Sequence, residues 1–230
     1  IELDFENFAF DDGTPTWSTT APNWIEFIEE LSTSLHAISK LLAVDSPVQF
    51  DPTTGKKGYW VYSWKDISPY IDRLKIMGYD YSTSTPGPIG PIKWEEDAVK
   101  YAVSVIPASR VYLGIPGYGR NWTTKVSGIC PDDVATTISL KSHTATFIQN
   151  NADALAGIYG VTPTFDQTSQ EANFTYQKIY NGFTGNNQPT TCTQSGVVWY
   201  QNDQSFAARA NLISKYHIAG LSEWTLGFES

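Results

Sequence analysis

Apolar and polar positions follow two different rhythms along the chain. Residues 1–10 alternate acidic and apolar side chains, which predicts a strand with Ile1, Leu3 and Phe5 on one face. Residues 23–41 repeat apolar side chains at three- and four-residue intervals, which predicts an amphipathic helix. The same patterns predict strands over 41–50, 74–81, 111–116 and 219–224, and helices over 63–73, 94–106 and 204–217. Repeated alternation of strand and helix favours parallel βα units.

The middle of the chain breaks this alternation. Residues 123–195 are rich in Thr, Asn and Gln, contain both cysteines and predict only one further helix, over 143–156. We therefore interpret 123–195 as an inserted α+β subdomain. Residues 1–122 then form the preceding βα units, and 196–230 the final helix and strand.

Composition restricts the possible functions. The chain has 230 residues, of which 41% are hydrophobic and 17% charged, as is typical of a globular protein. Acidic residues outnumber basic ones 24 to 15, and this charge of −9 opposes nucleic-acid binding. No apolar stretch approaches the roughly 20 residues of a membrane span. The 8 Trp and 13 Tyr supply flat rings, which bury large areas and, in an open cleft, are able to stack on the apolar faces of sugars.

The cysteines and the start of the chain bear on its origin. Cys130 and Cys192 lack metal-ligand spacing, so they form a disulfide in an extracellular protein or remain thiols in the cytosol. We expect the disulfide. The chain begins within a strand pattern and shows no signal peptide of its own, so we expect a processed product or a fragment.

The first strand pattern carries candidate chemistry. Glu2, Asp4 and Glu6 are two residues apart and share one face of a strand. Neighbouring like charges raise the pKa of at least one carboxyl group, and a carboxylic acid protonated near neutrality can donate a proton. An acidic solvent face is the plain structural alternative.

Polar and aromatic residues also follow the other predicted strands. In a parallel βα barrel, functional groups lie at the carboxyl ends of the strands. The residues at these ends are Glu6, Tyr79, Asp80, Tyr118, Arg120 and Trp224. We therefore predict that they belong to one site.

Four short motifs, in order, resemble glycoside hydrolase family 18, the chitinase-like enzymes. Residues Glu2–Glu6 resemble the second half of the family's fourth-strand pattern, Asp-Gly-x-Asp-x-Asp-x-Glu. Met77–Asp80 matches the sixth-strand pattern Met-x-Tyr-Asp. Leu113–Arg120 and Gly220–Gly227 resemble the seventh and eighth strands. Together the motifs span nearly the whole chain.

The resemblance implies a fold class, with departures. It implies an α/β fold, a partial (β/α)8 TIM-type barrel comprising units four to eight, with a small α+β subdomain after strand seven. The first Asp of the fourth-strand pattern would precede Ile1, and the second is Glu2 here. Because five strands cannot close such a barrel, we expect the chain to be a fragment without the first three units.

The resemblance also implies a mechanism, which is retaining and substrate-assisted: the acetamido oxygen of the sugar attacks its own anomeric carbon. Glu6 corresponds to the general acid and base. Asp4 orients the acetamido N–H, and Glu2 helps to tune the protonation of both. Tyr79 donates its hydroxyl to the acetamido carbonyl.

Further residues are implied to bind the sugar. Asp80 and Arg120 contact its hydroxyls, Trp224 forms an apolar floor, and Tyr118 and Met77 complete the binding set. No metal or cofactor is required, and the enzyme is expected to be secreted. Structural alternatives stay open: Tyr79 as a core phenol, Met77 and Trp224 as packing residues, and Asp80 and Arg120 as an ion pair.

Several functions compete with cleavage of chitin or chito-oligosaccharides. A lectin-like member binds sugar without turnover, but such proteins lose the acid at the Glu6 position. Peptidoglycan and the N-glycan core are alternative substrates, and the segment 86–94 is similar to a branch that includes cell-wall-lytic enzymes. A non-functional fragment and an unrelated barrel hydrolase with two protein carboxylates also remain.

Overall fold

A computed structural model describes residues 1–56, 58–138 and 151–228, and the backbone alone of residues 144–148. The chain divides into two compact units, which are described separately. Unit 1 comprises Ile1–Tyr79, Ile92–Ile115 and Ala208–Ser222, and unit 2 comprises Asp80–Pro91, Pro116–Ala207 and Glu223–Ser230.

The βα part of the chain is built on a five-stranded sheet of order β1-β2-β3-β4-β10. Its strands are β1 (Glu2–Leu3), β2 (Ala43–Pro47), β3 (Arg73–Met77), β4 (Val111–Pro116) and β10 (Gly220–Trp224). The first four strands run parallel. Side chains alternate along them, so that Val44, Leu74 and Ile76 are buried in the core. The sheet and its helices confirm the predicted α/β class.

Within the described residues, five α-helices belong to the same βα part of the chain. They are α1 (Asn7–Phe10), α2 (Trp17–His36), α3 (Trp64–Ile67), α4 (Ile92–Val105) and α7 (Asp203–Tyr216). Helix α2 begins six residues earlier than predicted, because Pro22 is accommodated inside it. Its buried face therefore starts at Trp17 and includes Trp24, whereas Ile38 lies beyond its end and is exposed. Within the described ranges, no helix is both long and apolar enough to cross a membrane.

The predicted strand over 1–10 is wrong beyond Leu3. Only two residues of β1 pair with β2, and the chain then turns into α1 at Asn7. As a result, Leu3 is 7% exposed, whereas Phe5 is 51% exposed. The Phe5 ring stacks on Phe27 of α2, with centroids 5.9 Å apart, instead of entering the core.

Two predicted helices have different bounds in the structure. Of the helix predicted over 63–73, only α3 forms, and β3 already begins at Arg73. The helix predicted over 143–156 falls partly on 143 and 149–150, outside the described residues. Residues Thr144–Ile148 form a strand, and the helix α6 is Asn151–Ile158.

Unit 2 contains an antiparallel sheet of order β6-β5-β9-β8-β7. Its strands are β5 (Tyr118–Gly128), β6 (Thr144–Ile148), β7 (Thr164–Asp166), β8 (Glu171–Phe183) and β9 (Pro189–Tyr200). A core of Ala152, Ala156, Phe174, Tyr176, Val198 and Tyr200 lies between this sheet and α6. The short helix α5 is Asp132–Ala135. The sheet begins before residue 123 and extends beyond 195, so it includes residues on both sides of the predicted insertion.

Cys130 and Cys192 form a disulfide. Cys192 is paired with Gly128 in the register between β5 and β9, so the bond joins the end of β5 to β9. Of the two alternatives open from the sequence, the structure contains the bonded one.

A glycine on β9 provides a test of packing in unit 2. Gly196 lies opposite Tyr176 on β8, and a Cβ atom added there would be 2.2 Å from the Tyr176 ring. We expect Gly196→Ala to lower the free energy of unfolding by about 1–3 kcal/mol through overpacking. Gly157→Ala in α6 is the matched control, because nothing lies within 4 Å of the added atom. Equal denaturation midpoints for the two variants would contradict this packing.

Candidate active site

Glu6 lies immediately before helix α1, three residues after the end of β1. It occupies the N-cap position of α1, and its carbonyl accepts hydrogen bonds from the N–H groups of Ala9 and Phe10 at 2.9 and 3.1 Å. Its side chain is half-buried, whereas Asp4 is exposed. Asp4 and Glu6 therefore follow the carboxyl end of β1, as predicted for Glu6. The chain leaves the sheet after Leu3, so neither residue is part of the strand.

The phenol of Tyr62 lies beside this acidic segment and was missed from the sequence. Tyr62 is fully buried, and its hydroxyl donates to the carbonyl of Phe5 at 2.7 Å. Burial raises the pKa of this phenol, and the negative charges of Glu6 and Asp4 raise it further. Tyr62 consequently remains protonated and holds the backbone between the two carboxylates.

Glu2 interacts with charged residues of the two neighbouring strands. The ammonium group of Lys75 on β3 donates to Oε2 of Glu2 at 2.5 Å. This hydrogen bond from Lys75 is the main cause that lowers the pKa of Glu2. Burial raises the pKa of Asp45 on β2 to about 7, and the charge of Glu2 and a hydrogen bond to it contribute. Asp45 and Lys75 are charged residues within otherwise apolar strand patterns, and this interruption could have identified them as candidates from the sequence.

Met77 and Tyr79 lie at the carboxyl end of β3. Met77 is the last residue of that strand and pairs with Gly114 of β4. Both Met77 and Tyr79 are half-buried. A Cβ atom at Gly114 would be 2.6 Å from the Ile76 carbonyl oxygen and 3.3 Å from the Tyr79 ring, so a glycine is needed for this close approach.

In unit 2, the structure brings Asp80, Tyr118 and Arg120 together. Oδ1 of Asp80 accepts a hydrogen bond from the Tyr118 hydroxyl at 2.6 Å and from Nη2 of Arg120 at 2.6 Å. The guanidinium of Arg120 also lies over the Tyr118 ring, 5.7 Å from its centroid. The ion pair considered as an alternative is therefore present. Tyr118 and Arg120 belong to β5 and not to the end of β4.

Trp224 is the last residue of β10 and is 53% exposed, so its indole is not a core packing group. Its carbonyl accepts a hydrogen bond from the N–H of Gly117 at 2.8 Å. The neighbouring Glu223 lies close to the same glycine, because a Cβ atom at Gly117 would be 2.7 Å from Oε1 of Glu223. Glu223 was not selected from the sequence.

The loop that follows Asp80 is anchored within unit 2. The buried carboxylate of Glu171 accepts hydrogen bonds from the backbone N–H groups of Ile89 and Gly90, each at 2.7 Å. The indole N–H of Trp122 donates to the carbonyl of Thr83 at 2.8 Å. These contacts fix the Pro/Gly-rich segment whose sequence predicted only a loop.

The sequence profile described as "Glycosyl hydrolases family 18" matches residues 1–229. The chain belongs to this family. The resemblance based on four strand motifs is thereby confirmed at the level of the family.

Individual proteins similar to this chain include a glycosylase, a lytic enzyme and a chitinase. A glycosylase of Bacillus subtilis, YvbX, is 24% identical over 97% of this chain and 57% of its own length. A cortical fragment-lytic enzyme of the same organism is 24% identical over 88% of this chain and 42% of its own length. The crystal structure of a chitinase from Chromobacterium violaceum superimposes with a TM-score of 0.76 at 26% identity. It covers 100% of this chain, which covers 62% of that one. The chain thus spans about half the length of the curated relatives it matches.

Proposed function

We propose that this family 18 protein hydrolyses β-1,4 glycosidic bonds next to N-acetylglucosamine, in chitin or chito-oligosaccharides, with retention of configuration. The observation that carries the proposal is the placement of Asp4 and Glu6 directly after a parallel strand, next to the buried phenol of Tyr62. Catalytic carboxylates belong at such strand ends in βα barrels. The substrate-assisted reaction steps proposed below are those of the family to which the chain belongs.

Glu6 is proposed as the general acid and then the general base. In the first step the acetamido oxygen of the sugar bonds to its anomeric carbon, and the bond to the leaving oxygen breaks. Glu6 gives its proton to that leaving oxygen. In the second step the Glu6 carboxylate takes a proton from water, whose oxygen bonds to the anomeric carbon and reopens the ring formed by the acetamido group.

Asp4 and Tyr79 are proposed to hold the acetamido group. A carboxylate at Asp4 accepts the acetamido N–H and stabilises the positive charge that develops during ring formation. The Tyr79 hydroxyl donates to the acetamido oxygen and keeps it in the attacking geometry. For Glu2, the salt bridge to Lys75 supports a role in setting the charge near Asp4.

The unit 2 residues are proposed to bind sugar. Asp80 and Arg120 contact hydroxyl groups, with Tyr118 fixing the Asp80 carboxylate by its 2.6 Å hydrogen bond. The exposed indole of Trp224 offers an apolar face on which a pyranose ring stacks. Met77 is proposed as a packing contact of the substrate at the end of β3.

The finer fold assignment and the location are also proposals. The parallel order β1-β2-β3-β4 with β10 at the edge supports strands four to eight of a (β/α)8 barrel, carrying the antiparallel sheet as its subdomain. The Cys130–Cys192 disulfide supports a secreted protein, because such bonds persist in oxidising compartments.

Peptidoglycan is the second candidate substrate. The similarity to cortical fragment-lytic enzymes favours it, whereas similarity to a chitinase favours chitin. The presence of Glu6 argues against a lectin-like member. The test measures turnover of chito-oligosaccharides, muropeptide polymers and N-glycan cores by the full-length protein and by Glu6→Gln. Loss of turnover in Glu6→Gln on the preferred substrate supports the proposal, and unchanged turnover refutes it.

A further inference from the structure

Three charged residues lie side by side on one face of the parallel sheet in unit 1. Glu2, Asp45 and Lys75 come from three adjacent strands, and Asp45 lies directly opposite Lys75 in the β2–β3 register. Their neighbours in sequence, such as Val44 and Leu74, point to the other face and are buried. These three residues form a partly buried ionic cluster, which includes Glu2, the first residue of the acidic segment Glu2–Glu6.

We propose that Asp45 and Lys75 are positioning residues that set the charge of the segment Glu2–Glu6, with the shared proton of the cluster held by Asp45 and the negative charge by Glu2. The role in catalysis rests on the proposed function. The placement of the proton on Asp45 and of the negative charge on Glu2 does not depend on that function.

The hydrogen bonds explain why the proton is on Asp45. Glu2 and Asp45 lie on the same face of adjacent strands, and the one ammonium group of Lys75 can compensate the charge of only one of their two carboxyl groups. The ammonium of Lys75, 2.5 Å from Glu2, stabilises the ionised form of Glu2 and lowers its pKa. Burial opposes ionisation of Asp45 and raises its pKa to about 7, to which the charge of Glu2 adds.

Other charged groups around the cluster also affect the pKa of Glu2 and Asp45. The charge of Asp4 raises the pKa of Asp45, and that of Lys75 lowers it. Arg73 on β3 favours ionised Glu2, and its guanidinium lies 6.0 Å from the ring centroid of Tyr112. Tyr112, on β4, is the register partner of Lys75 on β3.

This arrangement predicts a change of charge near neutral pH. Below pH 7 the Glu2 carboxylate and the Lys75 ammonium compensate each other while Asp45 is neutral. Above pH 7, ionised Asp45 adds a negative charge close to Asp4, which raises the pKa of neighbouring carboxyl groups. Ionised Asp45 therefore keeps Glu6, the proposed general acid, protonated to a higher pH than it would be without Asp45.

The first test compares pH profiles of kcat/KM in the full-length protein. We expect Lys75→Met to shift both limbs to higher pH by about 1 unit, and Lys75→Arg to restore the wild-type profile. Asp45→Asn should leave the acid limb in place and move the alkaline limb to lower pH. Lys215→Met, which removes an exposed lysine bonded to Glu96 at 2.5 Å, is the matched control and should change neither limb. Superimposable profiles for wild type, Lys75→Met and Asp45→Asn would overturn the proposal.

A second test is independent of turnover. The side-chain carboxyl carbon of Asp45, followed by NMR in the folded full-length protein, should titrate near pH 7. In Lys75→Met it should titrate about 1 unit higher. Titration of Asp45 near pH 4 in the wild type would overturn the proposal. If no glycan were cleaved, the proposed function would fail, while this titration would still decide where the proton lies.

Discussion

Replacing Glu6 with Gln is expected to lower the turnover of a chito-oligosaccharide by about 10²- to 10⁴-fold, the usual contribution of general acid–base catalysis. Glutamine has nearly the same shape but can neither donate a proton to the leaving oxygen nor accept one from water. Because the substitution keeps the size of the side chain and Glu6 is only half-buried, the fold should be preserved. Steady-state kinetics on the full-length variant measures the loss.

Glu30→Gln is the matched control for this substitution. Glu30 is an exposed residue of α2, so the same loss of charge there should leave turnover within a factor of about two. Substrate binding by Glu6→Gln should persist, because the proposed sugar contacts are made by other residues. Wild-type turnover in Glu6→Gln would remove Glu6 from its role.

Replacing Arg209 with Met is expected to lower the free energy of unfolding by about 3–5 kcal/mol. Arg209 of α7 and Glu95 of α4 have no exposed side-chain surface, and Nε of Arg209 lies 3.0 Å from Oε2 of Glu95. The substitution leaves the Glu95 carboxylate buried without its cation, which is costly in a medium that solvates charge poorly. Denaturant titration of the full-length protein measures the change.

Two comparisons distinguish this effect from a general loss of packing. Lys215→Met breaks a bridge between the same two helices, but its lysine is 60% exposed, so we expect a loss of only about 0–1 kcal/mol. Glu95→Leu combined with Arg209→Met should recover much of the stability lost in the single variant. A single Arg209→Met as stable as the wild type would show that the buried pair contributes little.

The parallel part of the fold was predictable because its signals are local. Continuous apolar strands such as 111–116, and helical spacing such as that of α4, depend on few neighbours. The start of the chain was mispredicted because strand alternation says nothing about pairing. Glu2 and Leu3 find partners on β2, but the following residues do not. Helix α2 was mispredicted at Pro22, which ends helices more often than it is accommodated inside them.

The candidate site was predictable only where a residue type itself indicates chemistry. Glu6, Asp80 and Trp224 were selected as candidates because they lie at or after the ends of strands. Tyr62 and Asp45 were not, because their relevance depends on contacts with residues distant in sequence. Spacing along the chain cannot show that Tyr62 reaches the carbonyl of Phe5, 57 residues earlier.

Glu6 is proposed to act together with the acetamido group of the substrate itself. The most direct measurement compares hydrolysis, by the full-length protein, of a chito-oligosaccharide and of its fully deacetylated counterpart of equal length. We expect cleavage of the acetylated oligomer and none of the deacetylated one above the uncatalysed background, since an amine has no oxygen with which to attack the anomeric carbon. Comparable rates on the two oligomers would refute a substrate-assisted mechanism.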